Sequence, residues 1–471
     1  MAESELVIIG AGVGGYVAAI RAAQLGLAVT LVERRPTLGG TCLNVGCIPS
    51  KALLESSELY AGLRGGLDEH GIGVGEVRLD LARLMQRKEA IVRQLTEGLA
   101  GLMKKNRVTV LAGQGRLDGP GRVRVEPLPG DPAGAAGRQL PAAAVVLATG
   151  SEPVPLPFLP FDGERVVSST EALAFDQVPG RLIVIGAGAV GLELGSVWRR
   201  LGAQVTVVEL LPRLLPWADR QVASALERAL KPQGIELRLA TRVTGARLVG
   251  AEVLVSLQGP KGEVAELAAD RVLVAVGRRP CTAGLGLETV GIVPDAGGRV
   301  PVDADLQTTA PGVYAIGDLV AGPMLAHKAS HEGVAVAERI AGQPGRSEPA
   351  PIPNVVYTHP ELAAVGLTEE EARERGLTVK IGRSLFRGNG RALTLGQVEG
   401  LVKVVAEVGT NRLLGVHLVG PRASDLIAEA AVALAHGVTV DGLAAVVHAH
   451  PTLAEALHEA VLDVDKRAIH A

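Results

Sequence analysis

Two cysteines separated by four residues are the side chains of this sequence best suited to redox chemistry. Cys42 and Cys47 are two of the chain's three cysteines and lie in the segment GGTCLNVGCIPSK. Residues five apart in a regular α-helix lie about 8–9 Å apart at Cα, whereas a disulfide needs roughly 4.4–6.8 Å. The pair can therefore close into a disulfide only if this turn departs from a regular helix. The alternative is two unrelated buried thiols.

The residues around the cysteines favour such a turn. Gly46 supplies conformational freedom, and Pro49 suits the first turn of a helix that follows. A thiol near the N-terminal end of that helix, and close to Lys51, is expected to have a lowered pKa and thiolate character. The glycines here, together with the units on either side, favour a redox pair over two unrelated thiols.

Composition and charge narrow the class of protein. The chain has 471 residues, 47% of them hydrophobic and 21% charged, which predicts a globular protein of three or four domains. A net charge of −3 gives no argument for nucleic acid or membrane as a partner. The first residues lack the basic region of a signal peptide, and the apolar run at 6–20 is too short to span a bilayer. We therefore expect a cytoplasmic protein, in which a cysteine pair serves catalysis more often than structure.

The segment before the cysteines is typical of a dinucleotide-binding unit. An apolar run at 6–9 predicts a buried strand, and Gly10, Gly12 and Gly15 precede an alanine-rich helix pattern. These glycines permit a tight turn and a close approach of the backbone to a pyrophosphate at the helix N-terminus. The next strand pattern ends at Glu33, whose carboxylate can accept hydrogen bonds from a ribose.

The same pattern occurs a second time. Gly186, Gly188 and Gly191 follow the apolar run at 182–185, and Glu209 ends the next strand pattern. The first glycines of the two copies are 176 positions apart, as are the two acids, which predicts two folds for two different nucleotides. A duplication with one inactive site is the alternative. An acid at the end of the second strand suits a free ribose 2′-hydroxyl and repels a 2′-phosphate, so NAD is predicted over NADP.

Further patterns complete the predicted nucleotide-binding region. Asp318 follows a strand pattern at the end where α/β sheets bind ligands, although a glycine–aspartate pair is also common in ordinary turns. The other predicted elements are a long packed helix at 79–105, a hairpin with a loose loop at 120–141, and buried strands at 145–150, 272–276 and 313–316.

The C-terminal part of the chain has a different character. After a proline- and glycine-rich linker at 342–353, strand and helix patterns without glycine fingerprints predict an α+β domain. Thr452 and Glu455 have the spacing of a capping box that opens the last helix. From the residues alone, structural and catalytic roles are both open for Glu455 and for His450. No spacing typical of a zinc site is present in the sequence.

In combination, these motifs resemble those of the flavoprotein disulfide reductases. The resemblance rests on GGTCLNVGCIPSK, the two glycine fingerprints, ATGS at 148–151, YAIGD at 314–318 and HAHPTLAE at 448–455, and it covers essentially the whole chain. It implies an α/β fold with two Rossmann-like dinucleotide-binding domains, for FAD and NAD, and a C-terminal α+β dimerisation domain. The implied domains are 1–150 for FAD binding, 151–277 for NAD binding, 278–345 for a central domain that completes the FAD site, and 346–471 for the interface.

The resemblance also implies roles for the reactive residues. Cys42 is expected to exchange with the substrate disulfide, and Cys47 to lie against the flavin as the charge-transfer thiolate. His450 is expected to act as acid and base, oriented by Glu455. In this family that histidine comes from the partner subunit, so the resemblance implies a homodimer with shared active sites.

The implied cofactor contacts fall into two groups. Lys51 is expected near the flavin, paired with Glu193 from the second nucleotide-binding unit. The other residues expected at FAD are Gly10, Gly12, Gly15, Glu33, Gly40, Thr41, Thr149, Gly150, Asp318, Met324, Leu325, Ala326 and His327. The residues expected at NAD are Gly186, Gly188, Gly191, Glu209 and Gly277.

Within the family, the chain most resembles the members that oxidise protein-bound dihydrolipoyl groups to lipoyl disulfide and reduce NAD. This resemblance implies a component of a 2-oxo acid dehydrogenase or glycine cleavage complex, without indicating which one. The implied partners are lipoyl domains and the peripheral subunit-binding domain of an acyltransferase. Cys281 has no role in the implied mechanism and is expected to be a small buried residue.

Several alternatives are less well supported by the sequence. A glutathione reductase should carry basic residues beside Glu209 to hold NADPH. A mercuric reductase or a large thioredoxin reductase should carry a further cysteine pair near its C-terminus, whereas no cysteine follows Cys281. A role mainly in assembly is an alternative of another class, and the intact cysteine pair argues against it. If the cysteines are not coupled to the flavin, a plain NADH-dependent flavoprotein remains.

Overall fold

A computed structural model describes residues 4–65, 67–128, 137–344 and 351–470. Parts of the loop predicted at 120–141 and of the linker predicted at 342–353 lie outside these residues. No helix in the described ranges is long and apolar enough to cross a bilayer. The chain divides into two compact units: the first takes in Met1–Ala52, Arg83–Val154 and Gly277–Glu348, and the second takes in Leu53–Ala82, Pro155–Val276 and Pro349–Ala471.

The strands and helices are numbered in chain order. The strands are β1 (Ser4–Ile9), β2 (Val29–Glu33), β3 (Thr109–Ala112), β4 (Gln114–Leu117), β5 (Arg122–Glu126), β6 (Arg138–Leu147), β7 (Ser151–Pro153), β8 (Val166–Val167), β9 (Arg181–Ile185), β10 (Gln204–Val208), β11 (Ile235–Arg238), β12 (Arg242–Val249), β13 (Glu252–Gln258), β14 (Val264–Ala269), β15 (Arg271–Val274), β16 (Arg278–Pro280), β17 (Val313–Ala315), β18 (Asn354–Val356), β19 (Glu361–Gly366), β20 (Val379–Leu385), β21 (Leu401–Glu407) and β22 (Leu413–Gly420). The helices are α1 (Val13–Gln24), α2 (Gly40–Val45), α3 (Cys47–Gly65), α4 (Leu81–Lys105), α5 (Ser169–Ala172), α6 (Ala189–Leu201), α7 (Arg220–Leu230), α8 (Ala326–Ile340), α9 (Glu369–Glu374), α10 (Gly390–Leu395), α11 (Ala423–Ala435), α12 (Val440–Ala444) and α13 (Glu455–Val464).

The first unit is built on a parallel sheet with an antiparallel extension. Its parallel strands run in the order β3-β2-β1-β6-β17, and β5 and β4 continue the sheet from the N-terminal half of β6. Along β1, Leu6 and Ile8 belong to one buried core, while Val7 and Ile9 belong to another. Because successive strand residues point to opposite faces, this sheet is covered on both sides, as the continuous apolar run predicts.

Helices α1 and α8 cross closely over one face of this sheet. A Cβ atom on Gly333 of α8 would lie 2.5 Å from the carbonyl oxygen of Gly14 on α1. Towards the C-terminal ends of both helices, Arg21 Nη2 lies 2.6 Å from Glu338 Oε1. The glycines therefore let the two backbones approach, and the ion pair adds a polar contact beside the crossing.

The predicted long helix is α4, but its packing differs from the prediction. Leu99 and Met103 are buried in the core that α1 and β1 share. Leu95 and Leu102 are 41% and 44% exposed. The expectation of a helix packed along its whole apolar stripe is therefore wrong, because only the last turns lie over the core of the sheet.

The second unit contains the repeat of the nucleotide-binding pattern. Its parallel sheet has the order β11-β10-β9-β15-β8, with residues 182–185 of β9 in register with 205–208 of β10. Helix α6 connects these two strands and is buried along most of its length. A separate antiparallel sheet, β12-β13-β14, packs against this region through Val253, Val255 and Leu257. The predicted second dinucleotide fold is confirmed.

The C-terminal part of the second unit is an antiparallel sheet of order β18-β19-β22-β21-β20. Helix α11 contacts β19 and β22, and α13 contacts β20 and β21. The helices and strands share one core that includes Phe386, Val404, Ile427 and Val461. The predicted α+β domain and the predicted fold class are confirmed, and the boundaries at 150, 277 and 345 stay predictions.

Candidate active site

The two cysteines lie on either side of a break between helices. Helix α2 ends at Val45, Gly46 has φ −146° and ψ −115°, and α3 begins at Cys47. A Cβ atom on Gly46 would lie 2.8 Å from the carbonyl oxygen of Thr41. Only glycine fits this close approach, so the prediction that the cysteines do not occupy one regular helix is confirmed.

Cys42 and Cys47 are thiols that contact one another through a hydrogen bond. Cys42 is half-buried and Cys47 is exposed. A hydrogen bond with Cys47 and then burial raise the pKa of the Cys42 thiol, and the Lys51 ammonium only partly opposes this. For Cys42, the neighbouring cysteine and burial therefore outweigh the lysine. The predicted lowering concerns a thiol at the N-terminal end of α3, and for Cys47, which begins that helix, it stays a prediction.

The first glycine loop forms a cradle at the carboxyl end of β1. Gly10 has φ +103°. A Cβ atom on Gly15 would lie 1.8 Å from the carbonyl oxygen of Gly10. A Cβ atom on Gly40, at the start of α2, would lie 2.6 Å from Gly12 Cα. These positions require glycine, because strand, loop and two helix starts meet without room for a side chain. The cradle fits a pyrophosphate, as predicted.

Glu33 holds the first glycine loop to the end of β2. Its Oε2 accepts a hydrogen bond from the amide of Ala11 at 2.7 Å, and its Oε1 accepts one from the amide of Arg35 at 2.8 Å. The carboxylate is buried, 7% exposed. Each carboxylate oxygen can accept a second hydrogen bond, so binding of a ribose is compatible with these contacts.

The second glycine loop repeats this geometry residue for residue. Gly186 has φ +106°. A Cβ atom on Gly191 would lie 2.1 Å from the carbonyl oxygen of Gly186. Glu209 accepts hydrogen bonds from the amides of Ala187 and Leu211, both at 2.8 Å. Both copies therefore retain a formed cradle, which argues against an inactive duplicate.

The surroundings of Glu209 suit NAD. Leu210 and Leu211, which follow it, are apolar and exposed. Arg213, the nearest cation along the chain, donates a hydrogen bond to the carbonyl oxygen of Pro216 and is thereby held within its own loop. An uncompensated carboxylate favours a ribose hydroxyl over a phosphate.

Three predicted motifs of the first unit meet through a chain of hydrogen bonds. Ser151 donates its hydroxyl proton to Asp318 Oδ2. Arg278 donates to Ser151 Oγ at 2.7 Å and to its carbonyl oxygen at 2.6 Å. Arg278 and Ser151 were not among the predicted site residues, although Ser151 belongs to the ATGS motif and Arg278 directly follows Gly277. These hydrogen bonds fix the Asp318 carboxylate just beyond the end of β17.

The turn that carries Asp318 is supported by an ion pair on α8, of which the lysine is buried. Lys328 Nζ lies 2.7 Å from Glu332 Oε1 and donates to the carbonyl oxygen of Gly317 at 3.1 Å. Glu332 Oε2 accepts from the amide of Gly317 at 2.7 Å. The segment from Met324 to His327, which is predicted to contact FAD, lies at the N-terminal end of the same helix. The helix thus places this segment and Asp318 close together.

His450 and Glu455 form the predicted pair in the second unit. His450 Nδ1 lies 2.8 Å from Glu455 Oε1, and the histidine side chain is 78% exposed. Burial alone raises the pKa of Glu455, but hydrogen bonds from the Thr452 amide and from His450 outweigh it, so this pKa is lowered. An ionised carboxylate fixes the imidazole orientation and leaves Nε2 for proton transfer.

The predicted capping box at this site is only half formed. Thr452 N donates to Glu455 Oε2 at 2.8 Å, but the Thr452 hydroxyl donates to the carbonyl oxygen of Ala449 instead of capping the helix. Helix α13 begins at Glu455, two residues later than the box requires, with Ala454 as N-cap. The capping interpretation is therefore wrong in its main part, because Glu455 bridges the His450 loop and the helix start.

Other predicted contacts join residues of different units. Lys51 belongs to the first unit and Glu193 to the second, as do Cys42 and His450 respectively, so these pairings stay predictions. Glu193 is buried on α6, where its Oε1 accepts from the amide of Tyr357 at 3.1 Å.

Cys281 is half-buried, and burial is the main cause of its raised pKa. No group of three or more possible metal ligands occurs among the described residues.

Comparison with known proteins places the chain in a family. Residues 4–333 match the pyridine nucleotide-disulphide oxidoreductases, and residues 352–461 match the dimerisation domain of these enzymes. The chain is 49% identical over 471 residues to dihydrolipoyl dehydrogenase 3 of Pseudomonas aeruginosa, covering 100% of this chain and 99% of that protein. It is 45% identical over 469 residues to the mitochondrial dihydrolipoyl dehydrogenase of Pisum sativum, covering 99% and 93%.

A solved structure agrees with the sequence matches. LpdA of Mycobacterium tuberculosis has a TM-score of 0.89 at 30% identity and covers 97% of this chain and 99% of its own. The glycine cradles, the cysteine pair and the histidine–glutamate pair thus occur in a chain that aligns along its whole length with such enzymes. The chain belongs to the pyridine nucleotide-disulphide oxidoreductase family, in its dihydrolipoamide dehydrogenase branch.

Proposed function

We propose that this protein is an NAD-dependent dihydrolipoamide dehydrogenase. It oxidises protein-bound dihydrolipoyl groups to lipoyl disulfide through Cys42 and Cys47 and reduces NAD to NADH. The observation that carries this proposal is the contact between the two thiols at the Gly46 break. This contact occurs in a chain with two formed dinucleotide cradles.

The residues present fit FAD in the first cradle and NAD in the second. Gly10, Gly15 and Gly40 leave room for a pyrophosphate beside the helix N-termini. Glu33 and Asp318 are carboxylates placed to receive hydroxyl groups. When bound, FAD accepts the electron pair of the dithiol and passes it to NAD. The roles of Gly12, Thr41, Thr149 and Gly150 at FAD, and of Gly188 and Gly277 at NAD, belong to the same proposal.

The thiol chemistry begins with the enzyme's cysteines joined as a disulfide. His450 takes a proton from one dihydrolipoyl thiol, and the thiolate attacks Cys42. The bond between Cys42 and Cys47 breaks, Cys47 leaves as a thiolate, and a mixed disulfide forms between Cys42 and the substrate. The exposed imidazole of His450 is consistent with proton transfer from an external thiol.

A second exchange completes the oxidation of the substrate. The remaining dihydrolipoyl thiol attacks its partner sulfur in the mixed disulfide, and the bond between that sulfur and Cys42 breaks. His450 gives the proton that it holds to the leaving Cys42 and takes up the proton of the attacking thiol. Lipoyl disulfide is released, and the two electrons remain on Cys42 and Cys47. The raised pKa of the Cys42 thiol favours protonation of this leaving group, because burial and the contact with Cys47 disfavour a second thiolate.

The match to the dimerisation domain supports a homodimer. We propose in addition that each active site combines Cys42 and Cys47 of one subunit with His450 of the other, and that Lys51 and Glu193 support the flavin.

Lipoyl domains and the peripheral subunit-binding domain of an acyltransferase are the proposed partners, in a 2-oxo acid dehydrogenase or glycine cleavage complex. A cytoplasmic location is proposed with them. The likeness to the P. aeruginosa enzyme supports these proposals.

The test is the reaction itself. The purified yellow protein should form NADH from NAD and dihydrolipoamide. On anaerobic titration with NADH, it should develop a long-wavelength absorbance band at two electrons, from contact between thiolate and flavin. Flavin bleaching without this band, together with no turnover of dihydrolipoamide, would leave a plain NADH-dependent flavoprotein and contradict the proposal.

A further inference from the structure

The loop that carries His450 has no regular secondary structure. It runs through residues 446–454, between the end of α12 and the start of α13, and we refer to it as the His450 loop. Val447 is 94% exposed, and the His450 side chain is 78% exposed. A catalytic group in such a segment has to be held by side-chain contacts, because no ladder of backbone hydrogen bonds fixes it.

His448, two residues before His450, attaches the loop to α11. Its Nε2 lies 2.8 Å from Glu429 Oε1, and its Nδ1 lies 3.1 Å from the carbonyl oxygen of Val446. Unlike His450, this side chain is only 8% exposed, and its ring packs against the ring of His458 at 4.8 Å. Both ring nitrogens therefore have partners, and the imidazole is fixed in orientation.

Asn389, on the other side of the site, attaches the loop to α10. Its Nδ2 donates to the carbonyl oxygen of Thr452 at 2.9 Å, two residues after His450. Its Oδ1 accepts from the amide of Ala392 at 2.9 Å and so caps the N-terminus of α10. The side chain is 7% exposed. The side-chain oxygen of Asn389 thus caps α10, while its side-chain nitrogen holds the His450 loop.

We infer that His448, through Glu429, and Asn389 are positioning residues that hold His450 in place for the thiol half of the reaction. One contact is made two residues before His450 and the other two residues after it, and they reach different helices. Together they restrain both translation and rotation of the loop. The pair with Glu455 then sets only the orientation of the imidazole. This inference rests on the proposed function of His450, and misplacement of a catalytic group by about 1 Å can lower a rate about 100-fold.

The decisive variants are H448A and N389S in the holoenzyme. Serine at 389 keeps an N-cap acceptor for Ala392 but is too short to reach Thr452, whereas N389A loses both contacts. H470A is the matched control, because His470 forms a similar pair with Glu459 in the same part of the chain at 3.0 Å. E429Q is the conservative variant, because its amide oxygen can still accept from His448.

We expect H448A and N389S each to lower the kcat for dihydrolipoamide about 10-fold or more, with unchanged FAD content and unchanged NADH oxidation by ferricyanide. E429Q and H470A should retain the wild-type kcat. N389A should match N389S in kcat but have a lower Tm, because only N389A loses the cap. An unchanged kcat in H448A and N389S, or a parallel loss of both activities, would overturn the inference.

Hydrogen exchange separates this inference from the proposed function. In H448A and N389S, amides of residues 446–454 should exchange faster than in the wild type, whether or not the wild type oxidises dihydrolipoamide. An inactive wild type with this faster exchange would refute the function and retain the attachment of the loop. Unchanged exchange in both variants would refute the attachment itself.

Discussion

The Lys403 ammonium lies 2.7 Å from Asp219 Oδ2, and the two side chains are 2% and 0% exposed. Lys403 belongs to β21, and Asp219 caps α7 by accepting hydrogen bonds from the amides of Gln221 and Val222. A second carboxylate, Glu369 Oε2, lies 2.7 Å from the same Nζ. The buried pair thus joins the C-terminal sheet to the start of α7.

Replacing Lys403 by Met should destabilise the protein strongly. The variant leaves the Asp219 carboxylate buried without its cation, and breaking a buried pair in this way costs about 3–5 kcal/mol. The measurement is chemical denaturation of the holoenzyme, supported by the Tm. R247M is the control, because Arg247 forms an exposed pair with Glu266, and exposed pairs contribute about 0–1 kcal/mol. Equal effects of the two variants would contradict the role of burial.

The same pair predicts a pH dependence. Burial would raise the pKa of Asp219, but the hydrogen bond from Lys403 and the charge of Lys403 outweigh it, so this pKa is lowered on folding. A carboxylate with a lowered pKa stabilises the fold above its ordinary pKa of about 3.9 and loses this contribution as pH falls below it. The Tm difference between wild type and K403M should therefore be largest near neutral pH and narrow as pH falls, because protonation removes the Asp219 charge that the variant leaves buried without a cation. A gap that widens in acid would contradict this sign.

Replacing Cys47 by Ser should abolish oxidation of dihydrolipoamide, because the electron pair can no longer reside on a cysteine pair. Part of the NADH oxidation by artificial acceptors should remain, since that reaction bypasses the thiols. C281S is the control and should keep both activities, because the half-buried Cys281 has no part in the exchange. Rates with each acceptor provide the measurement, and lipoamide turnover by C47S would refute the assigned role.

Replacing Glu209 by Ala should weaken binding of NAD. The variant removes the ribose acceptor and leaves the amides of Ala187 and Leu211 without their partner. A hydrogen bond between a carboxylate and a ribose hydroxyl contributes about 1.5–3 kcal/mol, so its loss corresponds to a roughly 10- to 150-fold higher KM for NAD. Reduction of the flavin by dihydrolipoamide, measured in a single turnover without NAD, should not change. A slower single turnover would place Glu209 elsewhere in the mechanism.

Mixed dimers should test whether the active site is shared. A C47S subunit retains His450, and an H450Q subunit retains both cysteines of the redox pair. In the heterodimer, one of the two sites then has all its residues, so mixing two inactive variants should restore up to about half of the wild-type activity. Subunit exchange followed by the NADH assay provides the measurement. No recovery in a proven heterodimer would show that cysteines and histidine act within one subunit.

The sequence by itself determined the local geometry of the site. The glycine loops, the acids at Glu33 and Glu209, and the break at Gly46 could all be predicted because each depends on close backbone contacts between residues near in the chain. The two-faced burial of β1 was likewise visible as a continuous apolar run. Such features follow from steric limits and side-chain periodicity, which a linear sequence contains.

Only the tertiary structure decided which distant residues meet and what burial does to their charges. The chain from Arg278 through Ser151 to Asp318 and the bridge from Asn389 to Thr452 each join stretches far apart in the sequence. The sequence likewise did not specify the pKa of Cys42, which the fold raises through the contact with Cys47 and burial. The physical reason is that hydrogen bonds and desolvation depend on distance and exposure in three dimensions, which residue types and spacing do not specify.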